Sequence, residues 1–253
     1  MRVLPTLGFV VVYLGVPKTS TFLLQSPSRS VIVSNAFFNR INRRSMSTSL
    51  NDNKINEYRA AAAEEIVEIV DESNNVLTPC KRSEMRANRL IHRATYAFVK
   101  DSANYFYVQK RSTLKDYCPS FFDPTPGGVV AAGESYEDTN RREVEEEMGI
   151  PANTPMSHLF TFFYQDTRLR CWGDAWELVW DGPLSLQQTE VSEVVKMSMQ
   201  EILERADAGE SFTPDSIAAA RKYVDEKGGL DNEAFRIDRS KPIVEPVVTF
   251  HQN

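Results

Sequence analysis

The pattern of apolar and polar positions divides the chain near residue 52, and beyond it periodic stretches follow one another closely. Glu57 to Glu64, rich in Ala and Glu, predicts a short helix. Glu65 to Val70 and Val76-Leu77, on either side of Asp71-Glu-Ser-Asn-Asn75, predict a hairpin. Lys81 to Leu90 reads as a helix. Arg93 to Val99 reads as a strand, with Tyr105 to Gln109 its partner across the turn Asp101 to Asn104. Arg111 to Asp123 has no clear period, and Pro124, Pro126, Gly127 and Gly128 break any regular element. A helix has to begin after Gly133. Ser135 is suited to cap it, Glu137 and Asp138 suit the positive end of its dipole, and Gly149 and Pro151 stop it. Leu159 to Tyr164 and Arg170 to Trp180 predict two strands joined by a polar turn, and Val191 to Met197 a third. Met199 to Ala206 is helical in pattern, and Thr213-Pro214-Asp215 opens a last helix with a cap and a proline at its first position. Strands with helices before, between and after them indicate an α/β sandwich on one core.

Composition narrows the class. With 42% hydrophobic and 25% charged residues, the chain is neither wholly disordered, nor collagen-like, nor a polytopic membrane protein. A net charge of −6 argues against binding to nucleic-acid polymers, which calls for a basic face. Cys80, Cys118 and Cys171 form neither a disulfide framework nor a CxxC site, which fits a reducing compartment. The first 51 residues contain no Asp or Glu, but six basic residues and twelve Ser or Thr. That is the composition of an organellar targeting peptide, for a mitochondrion or a plastid. The apolar run Leu7 to Val16 is too short to span a bilayer, so no stable membrane span is expected. Met46 offers an internal start that would yield a cytosolic form. The organisation expected is therefore a targeting or disordered segment over 1–51, one folded domain over 60–230, and a tail over 231–253.

The chemistry concentrates in Gly128 to Ile150. On a helix Glu143, Glu146 and Glu147 are spaced i, i+3 and i+4, so their carboxylates share a face, while Val144 and Met148 form a separate apolar stripe. Three crowded carboxylates repel unless a cation sits among them. Mg²⁺ or Mn²⁺, hard cations that favour oxygen ligands and substrate phosphates, answer that need. Arg142, one turn before Glu146, is placed to orient a carboxylate, and Gly127-Gly128 lets backbone approach a metal or phosphate. The competing reading is a solvated acidic helix face.

The order Gly128, five residues, Glu134, seven residues, Arg142-Glu143, an aliphatic residue, any residue, Glu146-Glu147, any residue, Gly149, Ile150 resembles the Nudix box at every fixed position. The resemblance implies the Nudix fold, a mixed β-sheet sandwiched between helices with the box as loop-helix-loop. It also implies hydrolysis of a nucleoside diphosphate linked to another moiety, X. Carried onto this chain, Glu146 and Glu147 would be metal ligands, Glu143 a ligand or the general base, the Gly128 carbonyl a further ligand, and Arg142 the partner that orients the glutamates. Some members take their base from outside the box, and Glu190 and Glu193 are the candidates here. Many members are homodimers.

Upstream, Arg111, Lys115, Pro119 and Asp123 stand four apart, and His92-Arg-Ala precedes a strand. This is similar to the branch shared by isopentenyl-diphosphate isomerases and the bacterial YfcD-type Nudix hydrolases. Met85-Arg-Ala87, His92-Arg-Ala-Thr-Tyr96, Gly127-Gly-Val-Val130, Glu190-Val-Ser-Glu-Val194 and Phe212-Thr-Pro-Asp-Ser216 resemble the YfcD type. In the isomerases the Arg and Lys of this pattern grip the diphosphate, which makes Arg111 and Lys115 candidate contacts for a small-molecule diphosphate. An isomerase also needs a cysteine where Gly127 stands and three metal-binding histidines. Of His92, His158 and His251 only the first falls on a matching position. A Nudix module that senses a nucleotide without cleaving it is the third reading, but such modules usually lose box glutamates. Nothing in the chain identifies X. One of Trp172, Trp176 and Trp180, spaced four apart along a strand, is a candidate to stack on a base.

Overall fold

The structure, a computed structural model, describes residues 10–14, 21–26, 29–34, 55–242 and 244–251. It divides into two units, Met1–Glu57 and Tyr58–Asn253. In the first, β1 (Val10–Leu14), β2 (Thr21–Ser26) and β3 (Arg29–Ser34) pair antiparallel in chain order. The segment set apart as a leader therefore contains short apolar runs able to form strands; the rest of that expectation, Met46 included, lies outside the described residues.

The second unit is built on a mixed sheet. Helix α1 (55–63) leads to β4 (Ile66–Val70) and β5 (Val76–Lys81), whose turn is closed by Asp71 Oδ1, which accepts from the amides of Ser73 (2.8 Å) and Asn75 (2.9 Å). After α2 (Arg82–Asn88) come β6 (Ile91–Lys100), β7 (Phe106–Arg111) and the two-residue β8 (Phe122–Asp123). Helix α3 (Tyr136–Met148) precedes β9 (Ser157–Gln165), β10 (Arg170–Val179), β11 (Leu184–Gln187) and β12 (Val191–Met197). Then follow α4 (Met199–Asp207), α5 (Pro214–Glu226) and β13 (Val248–His251). The strand order is β12-β7-β6-β10-β9, with β6 and β10 parallel and the other neighbours antiparallel.

Alternation along β6 serves two layers. Tyr96 and Phe98 face a core shared with Met199, Ile202, Ala219 and Tyr223 of α4 and α5. Ala97 and Val99 face the other way, into a core with Val144 and Met148 of α3 and Leu184 and Leu186 of β11. Both α3 side chains are almost wholly buried, each worth roughly 1.5–3 kcal/mol. The expected α/β/α sandwich is thus the observed one. No helix of the described residues is long and apolar enough to cross a membrane.

Four details depart from the sequence reading. β6 and β7 are consecutive, but they pair only at Lys100 and Phe106 before diverging. The gap is filled by the glycine loop, where the amides of Ala97 and Thr95 donate to the carbonyls of Pro126 and Gly128 (both 2.9 Å) and the Val130 amide donates to Arg93 (2.9 Å). Gly127 is required there: a Cβ would lie 2.1 Å from the Thr95 carbonyl oxygen, at a φ of +154°. Second, Thr213 occupies the cap position of α5, but its hydroxyl makes no capping hydrogen bond, so proline at the first turn defines that start. Third, β11 has no counterpart in the apolar pattern of the sequence. Fourth, the tail over 231–253 is partly structural: Phe235 packs 4.8 Å from the Tyr223 ring, and β13 pairs parallel with β11.

Candidate active site

Ser135 caps α3 by accepting from the Asp138 amide (3.1 Å), and Gly149 ends it at a φ of +69°. These caps fix the rotation of the helix, so that its glutamates meet the loop inserted beside β6. The two elements and the wall formed by α2, Arg111 and Lys115 enclose a cavity of about 560 Å³. Glu134, Arg142, Glu143 and Glu146 line one end.

The Glu143 carboxylate lies so close to Gly128 that a Cβ on that residue would be 2.5 Å from it. Burial, with Glu147 and Glu146 adding repulsion against the pull of Arg142 and Lys115, pushes its carboxyl up to about 7. Arg142 gathers the others: Nη1 donates to Glu143 Oε1 (2.9 Å) and Glu146 Oε2 (3.1 Å), and Nε and Nη2 fork onto Glu134 (3.1 and 3.0 Å). Glu147 is turned inward and is 1% exposed. Its Oε2 accepts from Gln109 Nε2 (3.0 Å) and the Gly127 amide (3.3 Å), and Lys115 Nζ stands 3.6 Å from Oε1.

Lys115 also bonds Glu190, so it bridges the box and the loop before β12. Burial pulls the Lys115 ammonium down and pushes the Glu190 carboxyl up to about 7. Glu190 lines the cavity; Glu193 does not and is exposed on β12. Of the two bases suggested outside the box, the structure brings only Glu190 to the site.

Other expectations change. The Gly128 carbonyl is turned into the sheet, accepting from the Thr95 amide (2.9 Å), because loop residues alternate in direction as a strand does. Gly127, with its amide on Glu147, is the backbone group on the glutamate side. Arg111 lines the cavity, but its guanidinium is engaged by Asp123 (3.1 Å) and the Tyr117 carbonyl (3.1 and 3.2 Å). None of the three tryptophans lines the cavity: Trp172 packs on Phe163, Trp176 bonds Asp174, and Trp180 bonds the Pro183 carbonyl. Gln109 and Gly127, which orient Glu147, had no motif to announce them in this role.

The histidines are not gathered. His92 is buried against the Leu90 carbonyl, His158 bonds Asp174, and His251 bonds Ser185 on β13's partner strand. Cys171 reaches the cavity, but burial pushes its thiol up to about 12. The isomerase arrangement is therefore not assembled. Burial, with repulsion from Arg86, lowers His92 to about 3. Between pH 6.5 and 4 the unfolded chain binds a proton that the folded one refuses, so stability falls as pH falls. The expected loss is about 3 kcal/mol over that window. Urea unfolding of wild type and His92→Asn across it should show the variant with the shallower slope; parallel curves would remove His92 from the acid response.

The NUDIX domain profile matches residues 90–231. The chain belongs to the Nudix family. It is 45% identical over 168 residues to a Nudix hydrolase of Yersinia pestis, covering 66% of this chain and 90% of that one. To the Nudix hydrolase YfcD of Escherichia coli K12 it is 40% identical over 185 residues, covering 73% and 99%. Among solved structures, DR0079 from Deinococcus radiodurans superposes with a TM-score of 0.57 at 27% identity, over 62% of this chain and 98% of that one. The protein is thus a hydrolase of the Nudix family, similar to the YfcD type, and members of this family generally use divalent metals. Among the described residues no three acidic, His or Cys side chains converge on one point. The donor set nonetheless fits a hard cation: the buried carboxylates of Glu143 and Glu147 adjoin Glu146, which is 42% exposed and held by Arg142.

Proposed function

We propose that this Nudix protein uses Mg²⁺ or Mn²⁺ to hydrolyse a phosphoanhydride bond in a nucleoside diphosphate linked to X, or in a related organic diphosphate. The observation that carries the reading is the buried Glu143 carboxylate, pressed on Gly128 beside Glu147 and Glu146 in a cavity that also holds Lys115. Glu143, Glu146 and Glu147 would hold the cation, with the Gly127 amide fixing Glu147 from behind. When bound, it neutralises phosphate oxygens and acidifies water.

The chain's own groups do the rest. Arg142 keeps Glu134, Glu143 and Glu146 aimed together. Lys115 places a positive charge between the glutamates and Glu190, where a transferring phosphoryl group develops negative charge. Glu190, whose carboxyl burial holds up at about 7, or Glu143 in the place of a ligand, takes the proton from the attacking water. The acid-free segment 1–51 is read as an organellar address outside the catalytic domain.

The test incubates the protein, with and without Mg²⁺, with nucleoside diphosphate sugars, dinucleotides, NADH, ADP-ribose, coenzyme A, oxidised dNTPs and isopentenyl diphosphate. Products are read by mass, and by NMR for a double-bond shift. Metal-dependent cleavage of one compound well above the others is expected. A double-bond shift without cleavage would favour the isomerase chemistry.

A further inference from the structure

The cavity is lined by more than the groups that would handle a diphosphate. Its wall also carries Arg86 and His92, together with Tyr96, Tyr117 and Asp215. Two arginines one turn apart on α2 behave differently there. Arg82 makes two charged hydrogen bonds: Nη1 donates to Glu65 (2.7 Å) and Nη2 to Asp116 Oδ1 (3.1 Å), leaving its Nε alone without a partner. Arg86 makes none with the described residues: its Nε is also buried without a hydrogen-bond partner, and Asp116 Oδ2 stands 3.7 Å from it, beyond hydrogen-bond reach, while Oδ1 of the same carboxylate bonds Arg82. The side chain is only 25% exposed, so water cannot fully replace the missing acceptor.

The guanidinium also rests against an aromatic ring, its Cζ 5.3 Å from the centroid of Tyr117, a ring that Arg168 contacts too. The other acid beside it, Asp215, offers it no bond. Its two oxygens accept from the hydroxyls of Tyr117 (3.1 Å) and Tyr96 (3.0 Å). Of its other titratable neighbours, His92 is buried with Nδ1 on the Leu90 carbonyl, and Cys171 is buried against the Tyr96 hydroxyl. A guanidinium that is oriented, mostly desolvated and lacking a full acceptor is a receptor for a planar or tetrahedral oxyanion.

We propose that Arg86 forms an anion subsite for X: the substrate carries, besides the diphosphate cut at the box glutamates, its own carboxylate or phosphomonoester that Arg86 takes. This rests on the hydrolase reading above and deepens it, naming the class to which X belongs. Neutral sugars and unphosphorylated nucleosides would leave the guanidinium unanswered.

Substrate pairs that differ by one anionic group test it with the full chain and Mg²⁺. Coenzyme A against its 3′-dephospho form, and NADPH against NADH, report a phosphomonoester. UDP-glucuronate against UDP-glucose reports a carboxylate. In at least one pair kcat/KM of the more anionic member should exceed that of the other about tenfold or more, the scale of a charge-assisted hydrogen bond. Arg86→Gln should bring that ratio close to one, and Arg86→Lys, which keeps charge but not the fork, should leave a part of it. If Arg86 merely supports the fold, both members lose rate together and the ratio persists, which overturns the subsite. Equal rates on both members of every pair in the wild type overturn it as well. Failure to cleave any member, with or without metal, overturns instead the hydrolase reading on which it depends.

Discussion

Glu146→Gln is expected to lower kcat/KM by about 10³-fold or more while leaving the melting temperature within about 2 °C of wild type. The position separates chemistry from folding better than its neighbours. Glu146 is 42% exposed, and its ion pair is with Arg142, which keeps Glu134 and Glu143 after the change. Removing one negative charge there costs the fold little. A hard cation that loses an anionic oxygen ligand, by contrast, gives up several kcal/mol of charge stabilisation, and about 4 kcal/mol corresponds to 10³ in rate. Glu147→Gln is less informative, because that side chain also holds Gln109, the Gly127 amide and Lys115, and any loss would mix support with chemistry. Steady-state kinetics on whichever compound the substrate panel selects, with calorimetry alongside, measures both quantities. Undiminished hydrolysis by Glu146→Gln would remove the box from metal binding.

The helix bearing these glutamates was legible because its signals are local: a serine cap, early acids, a glycine stop and a box whose spacing is itself the chemistry. Most strands of the main sheet were legible for a similar reason, since each carries its own alternation. What escaped depends on contacts between distant segments. Nothing in Phe106 to Arg111 says that this strand parts from β6, because the wedge that parts them lies near residue 128. Leu184–Gln187 and Val248–His251 are four-residue strands that pair with each other across more than sixty positions, too short to show a period. Gly128 and Arg111 show the same limit in the site. The family resemblance implied a metal or phosphate contact for both, but whether a carbonyl or a guanidinium faces the cavity is set by its hydrogen-bond partners, Thr95 for one and Asp123 with Tyr117 for the other.

That difference makes Arg111→Met a prediction about stability rather than substrate grip. The Arg111 and Asp123 side chains are 8% and 6% exposed, and Asp123 Oδ1 already accepts from the amide and hydroxyl of Thr125. Without the guanidinium, Asp123 becomes a buried carboxylate lacking a counter-charge, and the Tyr117 carbonyl loses its donors. Breaking such a pair costs about 3–5 kcal/mol, and for a chain of this size that lowers the melting temperature by on the order of 10 °C. Adding Asp123→Asn should recover part of the loss, because the neutral amide no longer needs the charge, so the double variant should be more stable than the sum of the single changes allows. Calorimetry on the four proteins of this cycle gives the coupling directly. If Arg111→Met melts with the wild type and raises KM alone, the guanidinium is a phosphate contact after all, and the carboxylate it touches is an incidental neighbour.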